Sequence, residues 1–296
     1  MIPINPAIAV SIVIVNYNTL TEIIRCINSV LVQEGISFDV VVIDNASCDH
    51  SVATLKQLFG HQIKLIASPI NLGFGKANNL GAQSAHGQYV YFINPDAELK
   101  GSLALKTLVD YALKHPQAGL IGTTVIETAS RKIIASAYHY PGQRHLKTTL
   151  GLAHLPGNIA WIQGSSMLMS KARFDQVHGF DPDFFLYAEE TDLCLRVRKA
   201  GYEIRVCSDV FVEHIGGASQ GANRIASTRL KKQQSLYLFY QKHYSLHDCQ
   251  RLAKRTIKHS RLKLLYLKLF NSHAKTAIIR QQVILHAARQ YVTTLT

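Results

Sequence analysis

The sequence predicts an α/β protein: a doubly wound, mostly parallel sheet flanked by helices, with a basic helical region at its C-terminal end. Three observations predict it. Apolar, β-branched runs alternate with helix-spaced segments through the first hundred residues. Polar residues gather where those runs end. The chain's excess of positive charge lies almost entirely in its last third.

The elements follow in order. "AVSIVIVNYN" (9–18) is a continuous β-branched run, the signature of a buried parallel strand. Thr19 and Glu22 then stand at capping-box spacing, and Leu20, Ile23, Ile24, Ile27, Val30 and Leu31 recur at helical spacing. "FDVVVIDN" (38–45) is a second strand and 49–59 a second helix. "IKLIAS" is a third strand, "GKANNLGAQSAH" a helix of small residues and 88–94 a fourth strand. A helix is expected over 102–115, a strand over "AGLIGTTVIE", and a hairpin or long loop over 127–158. Residues 159–170 read as strand, "KARFDQVHGFDPDF" as a short helix and turn, and "EETDLCLRVRKAG" as a helix stopped by Gly201. A bent strand is expected over 203–214.

With 296 residues, 47% hydrophobic and 17% charged, the chain can bury one large core, with or without an appendage. We expect residues 1–224 to form one domain, in halves of about 1–100 and 101–224, and 225–296 a basic helical region. No apolar run reaches the roughly 18 residues that a spanning helix needs. The N-terminal apolar run has no basic region before it, which argues against a secretory signal. Five cysteines without CxxC spacing read as free, buried thiols of a reducing compartment, so a cytoplasmic protein is expected. Residues 216–296 carry 15 Lys and Arg against one acid, Asp248, whereas the preceding residues carry 17 against 18. That asymmetry points to an anionic partner for the tail.

The strand ends hold the chemistry. They supply Asn16 and Asn18, Asp44, Asn71, and then Asn94 and Asp96. Asp96, just past a buried strand, suits a divalent cation whose shell substrate phosphates complete, and Asn94 offers a neutral oxygen two residues earlier. His214 ends its strand beside a Gly-Gly turn, where an imidazole can complete a metal site or contact a diphosphate. In "LYAEETDLCLR", Glu189, Glu190 and Asp192 fall within four positions. The helix dipole favours acids in a first turn, which accounts for one or two of them. A carboxylate walled by aromatics can serve as general base.

"NLGFGKANN" lacks GxGxxG spacing and there is no GxxxxGK[ST], so dinucleotide and P-loop folds are poor matches. In order, "SIVIVNYN", "VVIDNASCD", "NLGFGKANN", "FINPDAEL", "GFDPDFFLYAEETDLCLRVRKAGY" and "VFVEHIGG" resemble family 2 glycosyltransferases with the GT-A fold, over residues 9 to 245 or so. Within that family they look most like bacterial rhamnosyltransferases of surface-polysaccharide assembly. The resemblance implies an inverting transferase that uses Mg²⁺ or Mn²⁺, with a nucleotide-diphosphate sugar (dTDP-rhamnose or a UDP-sugar) as donor and a saccharide or lipid-linked saccharide as acceptor. It implies that Val15, Asn16, Asn18 and Asp44 bind the nucleoside and that Asn71, Phe74 and Lys76 line the sugar-nucleotide pocket, with Asn94 and Asp96 at the diphosphate. Asp96 and His214 would hold the metal, and Trp161, Gly164 and Ser165 would face the acceptor. Glu190 matches the family's base, with Glu189 and Asp192 as the other candidates. Asn94 departs from the acid a DxD motif has there, and Glu190 from the commoner aspartate.

Two other readings are weaker. A nucleotidyltransferase needs a Gly- and Lys/Arg-rich loop after the first strand, which "NYNTLTE" does not supply. A non-catalytic polysaccharide or nucleic-acid binder leaves the acid cluster unexplained, and no nucleic acid is expected as partner. In the tail, Leu262, Leu265, Tyr266 and Leu269 share a helical face among Lys and Arg, the pattern of a helix that lies on an anionic membrane or caps the catalytic domain.

Overall fold

The β-branched runs become strands wherever neither face meets water. The computed structural model describes residues 8–146, 152–216, 225–271 and 273–295. Strand β1 (Val10–Asn16) is buried along its whole length. Helix α1 (Leu20–Leu31), β2 (Phe38–Asp44), α2 (Ser51–Phe59), β3 (Lys64–Ala67), α3 (Phe74–Gln83) and β4 (Tyr89–Ile93) follow. Then come β5 (Ala97–Lys100), α4 (Ala104–Lys114), β6 (Ala118–Glu127), β7 (Ser166–Ser170), α5 (Lys171–Gln176), α6 (Glu189–Lys199) and β8 (Glu203–His214). The sheet order is β3-β2-β1-β4-β7-β6-β8-β5. Pairs β1–β2, β1–β4, β2–β3 and β6–β8 are parallel, and β4–β7, β6–β7 and β5–β8 antiparallel.

Alternation along the strands separates the two faces. Val10, Ile12 and Ile14 of β1 pack with Ile23 and Ile27 of α1, Leu55 of α2 and Leu105 of α4. Val13, one residue out of phase, packs instead with Ala82 of α3, Phe174 of α5 and Leu193 and Val197 of α6. The sheet is therefore wound on both sides, as the β-α-β pattern predicts.

Several local expectations change. Thr19 does not cap α1; its hydroxyl donates to Asn16 Oδ1 at 2.7 Å, and the Leu20 amide is satisfied by Asp49 Oδ2 at 3.1 Å. A tertiary acceptor has replaced the local capping box. The strand expected over 159–170 narrows to Ser166–Ser170. Its partner β4 runs out at Ile93, just before the Asn94-Pro95 turn, where proline cannot extend a ladder. Residues 97–100, where no element was expected, form β5, which pairs Ala97 with His214. The bend in 203–214 is present as a register shift opposite Thr123 and Thr124. Gly201 ends α6 at φ +93°, a conformation that suits glycine. Cys48 is exposed, against expectation, while Cys26, Cys194, Cys207 and Cys249 are buried thiols as expected. In 127–158, Ile126 bridges Ile133 across a short turn; residues 147–151 lie outside the described set. So do 217–224, and with them Gly217 of the expected Gly-Gly turn and the chain up to the expected boundary at 224.

By its contacts the chain divides into two compact units. One comprises Met1–His139, Leu155–Phe185 and Glu189–Ser219, and holds the sheet. The other comprises Tyr140–His154, Leu186–Ala188 and Gln220–Thr296. Its helices are α7 (Ile225–His243), α8 (Leu246–Phe270) and α9 (Lys275–Thr294). Aromatic contacts bind it: Tyr237 stacks on Tyr291 at 4.2 Å, and Tyr240 on Tyr244 at 5.4 Å. None of the described helices is long and apolar enough to cross a membrane.

Candidate active site

Parallel pairing sets Asn16 beside Asp44 at the carboxyl ends of β1 and β2. Asn16 is fully buried and its amide donates to Asp44 Oδ2 at 2.8 Å and to Ser47 Oγ at 3.1 Å. Ser47 also accepts from the Asn18 amide at 2.9 Å, and its own amide donates to Asp44 Oδ1 at 3.0 Å. Asn18 Oδ1 accepts from the Cys48 amide at 2.8 Å. A second knot lies at the end of β3. Asn45 donates to Asn71 Oδ1 and to the Gly73 carbonyl, both at 3.1 Å, and accepts from the Leu72 amide at 2.8 Å. Gly73, at φ +82°, lies so close to the Phe185 carbonyl that an added Cβ would sit 2.2 Å from that oxygen. The Phe74 amide, opening α3, donates to the same carbonyl at 2.9 Å.

A different corner forms where β4, β5 and β8 end. Antiparallel pairing of β5 with β8 returns His214 to the Asn94–Asp96 turn. His214 Nε2 lies 3.1 Å from Asp96 Oδ1 and 3.3 Å from Asn94 Nδ2, and both Asp96 and His214 are buried. The Asn94 amide donates to the Ser165 carbonyl at 3.0 Å, which joins this turn to the 163–165 segment. An added methyl at the next residue, Gly164, would meet Glu190 Cβ at 3.4 Å and Phe74 Cε1 at 3.7 Å. Neighbouring residues therefore lead from His214 and Asp96 through Asn94, Ser165 and Gly164 to Glu190 and Phe74, which lie within a methyl group's reach of the Gly164 backbone.

This corner, the 163–165 segment and the start of α6 hold polar atoms that the protein leaves unanswered. Asn94 Oδ1, Gln163 Oε1, Ser165 Oγ and Glu189 Oε2 are buried without a hydrogen-bond partner. Such atoms are costly unless something else satisfies them. An unanswered amide oxygen beside a carboxylate and an imidazole fits a hard divalent cation. No group of three His, Cys, Asp or Glu side chains is gathered for a metal among the described residues. A cation held by Asp96, His214 and Asn94 therefore needs further oxygens from a ligand.

The three acids divide in environment. Asp192 is buried and paired with Arg196, Oδ2 to Nη2 at 2.6 Å, and Arg196 also donates to the Val177 carbonyl. Glu189 is buried too, and that burial holds its carboxyl well above the usual range, with the charges of Glu190 and then Asp192 pushing the same way. Glu190 is half-buried at the Gly164 contact. Cys194, one turn on, has its thiol pushed up to about 12 by burial, with the charges of Glu190 and Asp192 adding to it, so it is no nucleophile.

The surroundings of three further singled-out residues are local. Val15 is core, packed with Val41, Ile43 and Ala77. Lys76 is exposed on α3. Trp161 is tied to the preceding loop, its carbonyl accepting from Ala137 and its indole donating to the His139 carbonyl at 3.2 Å. Sequence reading did not single out Ser47, Gln163 or the Phe185 carbonyl. A serine three residues past a strand-end aspartate is a turn signal that could have drawn attention to Ser47. Nothing local marks the other two.

Comparison with known proteins adds an independent line. The model of glycosyl transferase family 2 matches residues 11–178, and a model described as the N-terminal domain of galactosyltransferase matches 144–215, which includes the acid cluster and His214. An N-acetylglucosaminyl-diphospho-decaprenol L-rhamnosyltransferase of Mycobacterium tuberculosis is 26% identical over 258 residues, which are 77% of this chain and 82% of the relative. Among solved structures, a mannosyltransferase from Pyrobaculum calidifontis with GDP-Man and Mn²⁺ matches at TM-score 0.61 and 14% identity, over 96% of this chain and 86% of that one. Residues 1–349 of TarS from S. aureus, with UDP-GlcNAc, match at TM-score 0.59 and 18% identity, over 97% and 89%. The chain spans 54% of a longer TarS structure. These structural matches establish a shared fold.

Proposed function

This chain belongs to glycosyl transferase family 2, and we propose that it is an inverting, cation-dependent enzyme that moves a sugar from a nucleotide diphosphate to a hydroxyl of a saccharide or lipid-linked saccharide. The observation that carries this reading is the proximity of the Asp96–His214 pair to Glu190 by way of Asn94, Ser165 and Gly164. It supports a cation held at the Asp96–His214 corner with a half-buried carboxylate nearby. The rhamnosyltransferase relative supports rhamnose as the sugar transferred, with dTDP-rhamnose the donor we propose, and the UDP-GlcNAc-bound TarS structure keeps a UDP-sugar open.

Glu190 removes the proton of the attacking acceptor hydroxyl, a role worth roughly 10²–10⁴ in rate. Asp192 is spent on Arg196 and orients the helix, so it is a positioning residue. Glu189, whose carboxyl burial holds well above the usual range, keeps its proton to higher pH than an exposed acid and so limits the charge beside Glu190. Asp96, His214 and Asn94 Oδ1 would hold Mg²⁺ or Mn²⁺, which when bound supplies Lewis-acid stabilisation of the leaving diphosphate. Asn18, Asn71, Phe74 and Lys76 stand along the donor side, and Asn16 with Asp44 keeps the two strand ends in register. Gln163, Gly164 and Ser165 line the acceptor side, and Trp161 holds the loop behind them. We assign catalysis to residues 1–224, with 225–296 as the basic helical region, on the cytoplasmic side of a membrane that holds the acceptor.

Calorimetric titration with dTDP, UDP and GDP, each with and without Mn²⁺ or Mg²⁺, tests the reading. Cation-dependent binding of one nucleotide, weakened by Asp96→Ala, is expected. Absence of binding to all three would remove it.

A further inference from the structure

Helix α8 has two apolar faces, and only one of them is covered. Cys249, Leu252, Ala253, Ser260 and Leu267 recur at helical spacing and are buried within the helical unit. Leu262, Leu265, Tyr266 and Leu269 recur at the same spacing on roughly the opposite side. They are 57–66% exposed, and Phe270 beyond them is 74% exposed. Single exposed leucines need no explanation, but five large apolar side chains in nine residues of one helix do.

The charges around this stripe choose its occupant. Lys254, Arg255, Lys258 and Arg261 are exposed on the turns before it, and Lys263 and Lys268 within it. No Asp or Glu occurs anywhere after Asp248. A second copy of the same face would set these cations against their equivalents. An anionic surface with an apolar interior satisfies both features at once, and no ordinary acidic protein surface supplies the second. We propose that the distal half of α8 is an interfacial docking face, its Leu262–Phe270 stripe entering the headgroup boundary of an anionic lipid bilayer and its Lys and Arg side chains lying on the lipid phosphates.

This inference stands apart from the transfer reaction and is tested without it. The full chain is sedimented with phosphatidylcholine vesicles that contain or lack about a third phosphatidylglycerol. Binding to the anionic vesicles alone, weakened by salt, is expected. The double substitution Leu265→Ser with Leu269→Ser should lower that binding at least about tenfold while the thermal melt stays in place, since both side chains are exposed. Lys258→Gln with Arg261→Gln should lower it and flatten its salt dependence. The proposal is overturned if the protein ignores anionic vesicles at low salt, if it binds neutral vesicles equally well, or if the leucine variant binds like the parent. It is overturned also if light scattering shows a dimer that the leucine substitutions dissolve, because the stripe would then belong to a second copy.

Discussion

The ends of β1 and β2 and the corner of β4, β5 and β8 are both polar, but one is closed and the other open. In the first, Asn16, Asp44, Ser47 and Asn18 answer one another's donors and acceptors. In the second and the 163–165 segment joined to it, Asn94, Gln163 and Ser165 each keep a buried atom without a partner. A closed network holds a surface in shape whether or not anything binds. An open one pays a desolvation cost that a ligand can relieve. The strand-end lattice therefore keeps its shape unaided, whereas the corner leaves polar atoms that a ligand can satisfy.

Four substitutions sharpen or break that contrast. The largest effect is expected from Glu190→Gln, which should cut transfer by about 10²–10⁴ while nucleotide binding stays. Full activity in that variant, measured with the donor that calorimetry identifies, would move the base elsewhere. Next, Asp96→Ala should weaken cation-supported nucleotide binding by more than about 100-fold, since disturbing even a metal's outer shell costs 10–100-fold. Calorimetry with and without Mn²⁺ reads it directly.

In the closed region Asn16→Ala should act on stability instead. It strips Asp44 and Thr19 of partners at a buried site, a cost of about 2 kcal/mol, or roughly 4–8 °C in Tm. An unchanged Tm with lost nucleotide binding would show the lattice to be a contact surface and erase the distinction.

The smallest effect belongs to Glu189→Gln and depends on pH. The Glu189 pKa is raised by burial, so the folded state holds a proton that the unfolded chain releases near pH 4.5. Its stabilising contribution is complete below that pH and is lost as pH rises through the folded-state value. Glutamine mimics the protonated acid at every pH. The melting curves of variant and parent should therefore agree in acid and diverge above it, with the variant the more stable. Parallel curves across that range would mean Glu189 is charged in the fold.

Legibility in the sequence differed by the range of the interaction. β1, β2, β4 and α6 lie within a residue or two of their predicted spans, because a buried strand and an amphipathic helix each write their period locally. Strand β5 was missed because Ala97–Lys100 is short and becomes a strand only by pairing with β8, more than a hundred residues away. Thr19 was read as a cap because its neighbours fit the pattern, yet a tertiary acceptor, Asn16 Oδ1, took its hydroxyl. The acid cluster was conspicuous as three carboxylates, but their spacing could not rank them.

By itself the sequence determined the fold class, the strand-end location of the polar residues and the basic character of the tail. Each follows from composition and short-range periodicity, which survive without knowledge of what lies opposite. The family resemblance put Glu190 first among the three acids, and only the tertiary structure showed how their surroundings differ, with Glu189 buried and Asp192 paired with Arg196. The tertiary structure also set the distance between His214 and Asp96, a pair that the family resemblance had implied, and showed that the Leu262–Leu269 face of α8 is exposed. Partners distant along the chain set burial and electrostatic environment, and no local pattern encodes them.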